Sequence, residues 1–281
     1  MIKYKGTLGG INMKLNRRII KKISIITMAG IISMSAMACG KKSEDDSDKK
    51  KTVVIGLDDT FVPMGYKDEN GEIVGFDVEL AKEIFKRSER EVKFQPVDWT
   101  MKESELNQGN IDLIWNGYSV TEERKNQVQF SDAYLDNKQI IITLGTSKLS
   151  SKEDLKGAKV GTQSESSSLE AINKEGELAK NFKDGQPVLF DTYNDALMDL
   201  EAGRLDAVVV DEILARYFMK QRGEDKFKIL NGDFGKESYA VGARKDDSEL
   251  ISEVNKYYKE IKEDGTGEKI CNKWFGENIL K

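Results

Sequence analysis

Histidine is absent from all 281 residues of the chain. That excludes His-based triads, His metal sites and His proton shuttles, so any enzymatic chemistry would have to run on carboxylates. Cysteine is scarce: only Cys39 and Cys271 occur. With Cys39 directly after the leader and taken up there, no disulfide is expected, and a core of about 230 residues can stand without one. Cys271 reads as a buried small apolar residue. The first 38 residues contain no Asp or Glu but seven Lys or Arg. They end in an apolar stretch, 23–37, that Ser24, Thr27, Gly30, Ser33 and Ser35 interrupt. It is too short and too broken for a spanning helix and fits a secretory signal. The basic region is complete from Met13, so either Met1 or Met13 can open the chain.

The leader ends at Ala36-Met37-Ala38-Cys39-Gly40. This resembles a bacterial lipoprotein signal, which implies a lipidated (palmitate-bearing) Cys39 as the mature N-terminus. Ala36 stands where such signals usually carry Leu, and Ala-Met-Ala also fits simple small-x-small cleavage. Residues 41–51 hold nine charges and two serines. Such a composition cannot bury a core and reads as a disordered tether reaching at most ~38 Å. Without residues 1–38 the chain carries 37 Lys and Arg against 49 Asp and Glu, a net of −12. An acidic body argues against nucleic acid as a partner.

From Thr52 onward, short apolar runs alternate with helical spacing, the mark of an α/β sheet covered by helices. One series runs through strands at 53–56, 92–97 and 112–115 with helices at 76–85 and 101–108. A second has strands at 159–161, 187–190 and 206–210 with helices at 167–174, 194–202 and 212–220. The layout Gly109-Asn110-Ile111-Asp112 echoes Gly203-Arg204-Leu205-Asp206, each Gly sitting where a helix end wants positive φ. Two similar α/β lobes follow. The extended segments 139–143 and 239–243 read as crossings between them, so the chain leaves the first lobe and returns to it in a two-stranded hinge. The amphipathic helix at 249–263 and the tail 270–275 need a partner surface. The expected division is 1–38 leader, 39–51 anchor and tether, 52–138 plus 240–281 lobe one, and 139–239 lobe two.

In open α/β sheets ligands bind at the carboxyl ends of strands. After the first strand come Asp58, Asp59 and Phe61; after the third come Asn116, Gly117, Ser119 and Arg124. In the second series, Gln163, Ser164, Glu165, Ser166 and Ser167 follow one strand, and Asp211 follows another. Ser119-x-x-Glu122 and Ser167-x-x-Glu170 fit capping patterns, so each strand hands over to a helix start with free N–H groups. Arg124 adds a planar two-pronged partner, which together with a helix start suits a carboxylate. Asp211 suits an ammonium and Phe61 offers an apolar face. One carboxylate plus one ammonium is the outline of a free α-amino acid. The blander alternatives are a cap for Asp211, caps for Ser166 and Ser167, and core packing for Phe61 and Trp115.

Several motifs in order resemble the solute-binding proteins, family 3, of polar amino acid ABC importers, with a periplasmic-binding-protein type II fold. They are 72–78 (EIVGFDV), 112–124 (DLIWNGYSVTEER), 130–134 (FSDAY), 154–157 (DLKG), 202–207 (AGRLDA), 264–266 (DGT) and 273–276 (KWFG). The resemblance spans 52–276. It implies a binding protein rather than an enzyme, with no cofactor or metal. Its partners would be a free L-amino acid, an ABC permease and ATPase complex, and the membrane through the lipid, with the protein itself a monomer outside the cytoplasm. Arg124, Ser119 and N–H groups near Ser167 would hold the ligand carboxylate. Asp211 and the Gly117 carbonyl would hold the ammonium, Phe61 would stack, and Asp58 would read the side chain. Glu165 replaces a usual Gly, Asn116 a usual Ser, and Met64-Gly65 a usual aromatic-acidic pair. An acidic rim of Asp58, Asp59 and Glu165 favours a polar or basic ligand over Asp or Glu. On the same scaffold, a dehydratase of a cyclic acid with Glu165 or Asp58 as general acid, or a ligand sensor, are the alternatives.

Overall fold

The computed structural model describes residues 52–281. The leader, Cys39 and the tether fall outside the described residues. Two mixed sheets organise the rest. The first runs in the order Glu91–Pro96, Thr52–Leu57, Leu113–Ile114, Gly242–Ala243, Gln129–Phe130. Its first three strands are parallel, and Gly242–Ala243 is antiparallel to both neighbours. The second runs Val188–Phe190, Val160–Gln163, Ala207–Asp211, Leu135–Leu144, Phe227–Ile229. Again the first three are parallel, while Leu135–Leu144 is antiparallel to both of its neighbours. The strand Ala207–Asp211 is buried throughout, as a β-branched run in the middle of a covered sheet should be.

Local chemistry explains the elements that frame the site. The helix Phe76–Arg87 buries Val78, Leu80, Ala81, Ile84 and Phe85 on one stripe, with acids in its first turn and Lys86 and Arg87 in its last. Gly109 and Gly203 adopt φ of 78° and 70° at the two helix ends. Cys271 is fully buried in the helix Thr266–Phe275, which absorbs the amphipathic tail, and Trp115 is buried in the core. The rings of Phe61 and Tyr193, 5.9 Å apart, join the packing of the two sheets.

Three expectations shift. The segment 139–143 is not itself the crossing: it pairs with Ala207–Asp211 inside the second sheet. The crossing ladder is the N-terminal end of Leu135–Leu144 against Lys236–Tyr239, in register Glu237↔Asn137 and Tyr239↔Leu135. Of 239–243, Gly242–Ala243 belongs to the first sheet. The helix at Glu122–Gln127 is capped by Thr121, whose hydroxyl accepts from Arg124 N–H at 3.2 Å, not by Ser119. Ser119 and Val120 are held extended along the returning strand, with Val120 N–H donating to Ser238 O at 2.9 Å, so no helix can begin there. Likewise Ser166, not Ser167, caps the helix Ser167–Lys174. Both shifts leave a serine hydroxyl free for other work.

Candidate functional site

The turn after Leu113–Ile114 is built for Gly117. Its φ is +57°, and a Cβ there would stand 2.7 Å from a Phe61 ring carbon and 3.2 Å from the Tyr239 ring. Its N–H donates to Asp77 Oδ2 at 2.7 Å, and the Tyr134 hydroxyl donates to the same oxygen at 2.8 Å. Burial pushes the Asp77 carboxyl up to about 7. Asn116 fastens neighbouring backbone: its Oδ1 accepts from Asp58 N–H at 3.1 Å, and its Nδ2 donates to Gly65 O at 3.4 Å.

Arg124 follows on the short helix and is only 6% exposed. Its guanidinium lies 4.5 Å over the Tyr118 ring. Nη1 donates to Ser119 O at 3.1 Å and Nη2 to Glu165 O at 3.2 Å. Among the described residues no carboxylate pairs with it. A buried cation held only by carbonyls and a ring is under-compensated and attracts an anion. Lys102 joins it, donating to Trp99 O at 2.9 Å and Glu165 O at 3.2 Å beside Glu103. Burial, then the nearby Arg124 charge, pulls that amine down to about 8.

The second sheet meets this corner directly. Ser167 Oγ lies 3.0 Å from Ser119 Oγ and accepts from Gln139 Nε2 at 3.1 Å. Ser166 Oγ caps its helix and donates to Gln163 O at 2.7 Å. Glu165 stands at φ +52° and is exposed; its carbonyl accepts from Arg124 and Lys102, and its carboxylate lies near enough to Lys102 to favour the charged amine. Gln163 Nε2 donates to Asp58 Oδ2 at 2.8 Å, while Thr60 occupies Asp58 Oδ1. Burial raises the Asp58 carboxyl above its ordinary value, though these hydrogen bonds oppose it.

Asp211 ends its strand 3% exposed and makes no side-chain cap. Its Oδ1 accepts from Tyr239 OH at 2.6 Å, Asn137 Nδ2 at 2.7 Å and Gln139 Nε2 at 3.0 Å. Burial, and then the Glu237 charge, raise its pKa well above the ordinary carboxylate range. Arg124 and Asp211 are therefore linked through Ser119, Ser167 and Gln139. Asp58, Phe61, Asn116, Gly117, Glu165 and Ser166 lie on or beside this network, whereas Asp59, expected in the acidic rim, pairs with Lys67 at 2.7 Å. Phe61 serves as both core and wall. Asp58 and Glu165, the carboxylates considered for acid catalysis, are separately engaged: one with Gln163 and Thr60, the other exposed near Lys102. Among the described residues no acidic or cysteine cluster suits a metal ion.

Sequence reasoning named Gln163 but missed Asp77, Lys102, Asn137, Gln139, Tyr193, Glu237 and Tyr239. A signal existed for four of them. Asn137 with Gln139, and Glu237 with Tyr239, alternate along two strands, and period two puts each pair on one face; the crossings expected at 139–143 and 239–243 take in only Gln139 and Tyr239.

The fold and the cleft define a two-lobed binding protein. The model of the bacterial extracellular solute-binding proteins, family 3, matches residues 53–277, and the chain belongs to that family. Among curated relatives, it is 32% identical over 255 residues to the arginine-binding extracellular protein ArtP of Bacillus subtilis (strain 168), covering 91% of this chain and 98% of that one. It is 27% identical over 262 residues to the L-cystine-binding protein TcyJ of Escherichia coli (strain K12), covering 92% and 96%. Among solved structures, an ABC uptake transporter substrate-binding protein from Streptococcus pneumoniae with bound histidine aligns with a TM-score of 0.80 at 36% identity, over 82% of this chain and 95% of that one. By name, the first binds arginine outside the cell, the second binds L-cystine, and the third is a substrate-binding protein of an ABC uptake transporter. No helix among the described residues is long and apolar enough to cross a membrane.

Proposed function

We propose that the cleft binds one free amino acid and presents it, with the lobes shut, to the permease of an ABC importer. Arg124, Ser119 and Ser167 take the α-carboxylate; Asp211 and the Gly117 carbonyl take the α-ammonium. The observation that carries this reading is the pairing of opposite deficits on one network. A buried guanidinium lacks an anion at one end, and a buried carboxylate lacks a cation at the other. A zwitterion satisfies both, and closure removes water from the ion pairs. Lobe one is 52–138 plus 240–281 and lobe two is 139–239.

A cationic side chain is favoured. Asp58 is buried at the lobe boundary with no ion-pair partner among the described residues, and Gln163 supplies only a neutral donor. ArtP binds arginine and one aligned structure holds histidine, which supports the same preference. The protein acts outside the cytoplasm as a monomer held to the membrane by a lipid on Cys39. A thermal-shift screen of the twenty amino acids plus cystine tests the ligand, since a ligand at 100 times its Kd stabilises by about 2.7 kcal/mol. No shift with any of them would sink the reading. Mass measurement of the mature N-terminus tests the anchor: an unmodified Cys39 removes it.

A further inference from the structure

The crossing ladder carries a carboxylate that the two-ended description leaves without work. Glu237 and Tyr239 share one face of Lys236–Tyr239, and Glu237 is registered against Asn137. Its Oε1 accepts from Ser119 Oγ, Asn137 Nδ2 and Gln139 Nε2, each at 2.7 Å, and from Ser167 Oγ at 3.5 Å. Asn137 Nδ2 and Gln139 Nε2 are the same donors that hold Asp211 Oδ1. Two carboxylates thus share two amide donors, and neither has an ion-pair partner among the described residues. The bonds from these donors converge on Glu237 Oε1 and Asp211 Oδ1, and the two carboxyl groups also hydrogen-bond each other. Like charges are thus held side by side, with Asp211 almost wholly buried. Two carboxylates in contact, with no ion-pair partner among the described residues, form an arrangement that a cation completes.

The position of Glu237 narrows which cation. It touches the serine hydroxyls assigned to the ligand carboxylate and the donors that hold Asp211. A group lying between those two ends is placed for the ammonium that sits one carbon from a carboxylate. We propose that Glu237 is a specificity-determining residue that, with Asp211, grips the α-ammonium and makes the site reject carboxylic acids lacking one. On ligand binding the Ser119 hydroxyl, which has one proton to give, turns from Glu237 to the ligand carboxylate, and Glu237 exchanges that bond for the ammonium. The inference rests on the amino-acid reading of the cleft.

The test is calorimetry on the full chain with L-arginine, L-histidine and L-glutamine, each beside its desamino analogue. Glu237→Gln keeps size and an acceptor but removes charge. It should weaken the amino acid that binds by about tenfold, the scale of one charge-assisted hydrogen bond. The desamino acid, already weak, should be unchanged or tighter, so discrimination between the two narrows. Glu237→Asp, which keeps the charge but withdraws it, should fall between wild type and Gln and guards against a folding defect. The inference is overturned if amino-acid affinity stays within about twofold in Glu237→Gln. It is equally overturned if amino and desamino ligands tighten together, which would make Glu237 only a competitor for Ser119. Failure of the wild type to bind any of the three amino acids strikes first at the proposed function and takes this inference with it.

Discussion

The two ends of the cleft are built differently. At the Arg124 end, the turn and the guanidinium are fixed largely from within the first sheet: Asp77 holds Gly117, Asn116 fastens 58 and 65, and Tyr118 underlies Arg124. From the other side come the Glu165 carbonyl and the Ser167 hydroxyl, 3.0 Å from Ser119 Oγ. At the Asp211 end, every side-chain partner of the carboxylate lies on the crossing strands or just after them in register: Asn137, Gln139 and Tyr239. The end proposed for the carboxylate is therefore built mostly within lobe one, whereas the end proposed for the ammonium depends on the hinge that sets the angle between lobes. A ligand would dock first by its carboxylate and report closure by its ammonium, a hinge-type division of labour.

That contrast can be broken from either side. Arg124→Ala should have the largest effect, about 100-fold or more in affinity, because removing one partner of a desolvated pair costs about 3–5 kcal/mol. Wild-type-like calorimetry on that variant would reject the carboxylate end. Asp211→Asn should weaken binding by about tenfold or more on the same scale, yet raise the melting temperature of the ligand-free protein, since it removes a buried carboxylate whose charged form is disfavoured. A lower melting temperature would mean that Asp211 is a structural acceptor first. Gly117→Ala should cost about 1–3 kcal/mol of stability, from the positive φ and the Phe61 contact, with affinity falling alongside.

The pH dependence sharpens the comparison further. Asp58, Asp77 and Asp211 all have folded pKa values above their unfolded ones, with Asp77 at about 7. Between the unfolded value near 4 and those raised values, the folded state holds protons that the unfolded chain has released. Ligand-free stability should therefore fall as pH rises from about 4 to 7, and Asp77→Asn should flatten part of that slope. Urea melts at pH 5 and 7 measure it, and a rising trend would contradict the burial of these groups. The smallest effect belongs to Thr121→Ala, which removes the helix cap at the Arg124 end and should cost about 1 kcal/mol with binding retained.

Local chemistry made much of the first end legible. The sequence Asn116-Gly117 followed within a few residues by Ser119, Thr121 and Arg124 is a strand, a turn and a helix start in one stretch, so its members are neighbours whatever the rest of the chain does. The register of capping was read two residues early because Ser119 is claimed by the returning strand more than 100 residues away. The same reason hid the partner of Gln163, Asp58, which it meets across 105 residues, and Glu237, which meets Ser119 across 118.

Residue order alone settled the alternating α/β pattern, the two echoing halves, the absence of histidine chemistry and the identity of the opposite charges, because periodicity, capping and composition act over a few residues. Tertiary structure alone decided which hydroxyls stayed free, which strands crossed and which carboxylate stood beside Asp211. Those outcomes depend on the register of distant strands, and a single slip would turn each of these side chains to the other face.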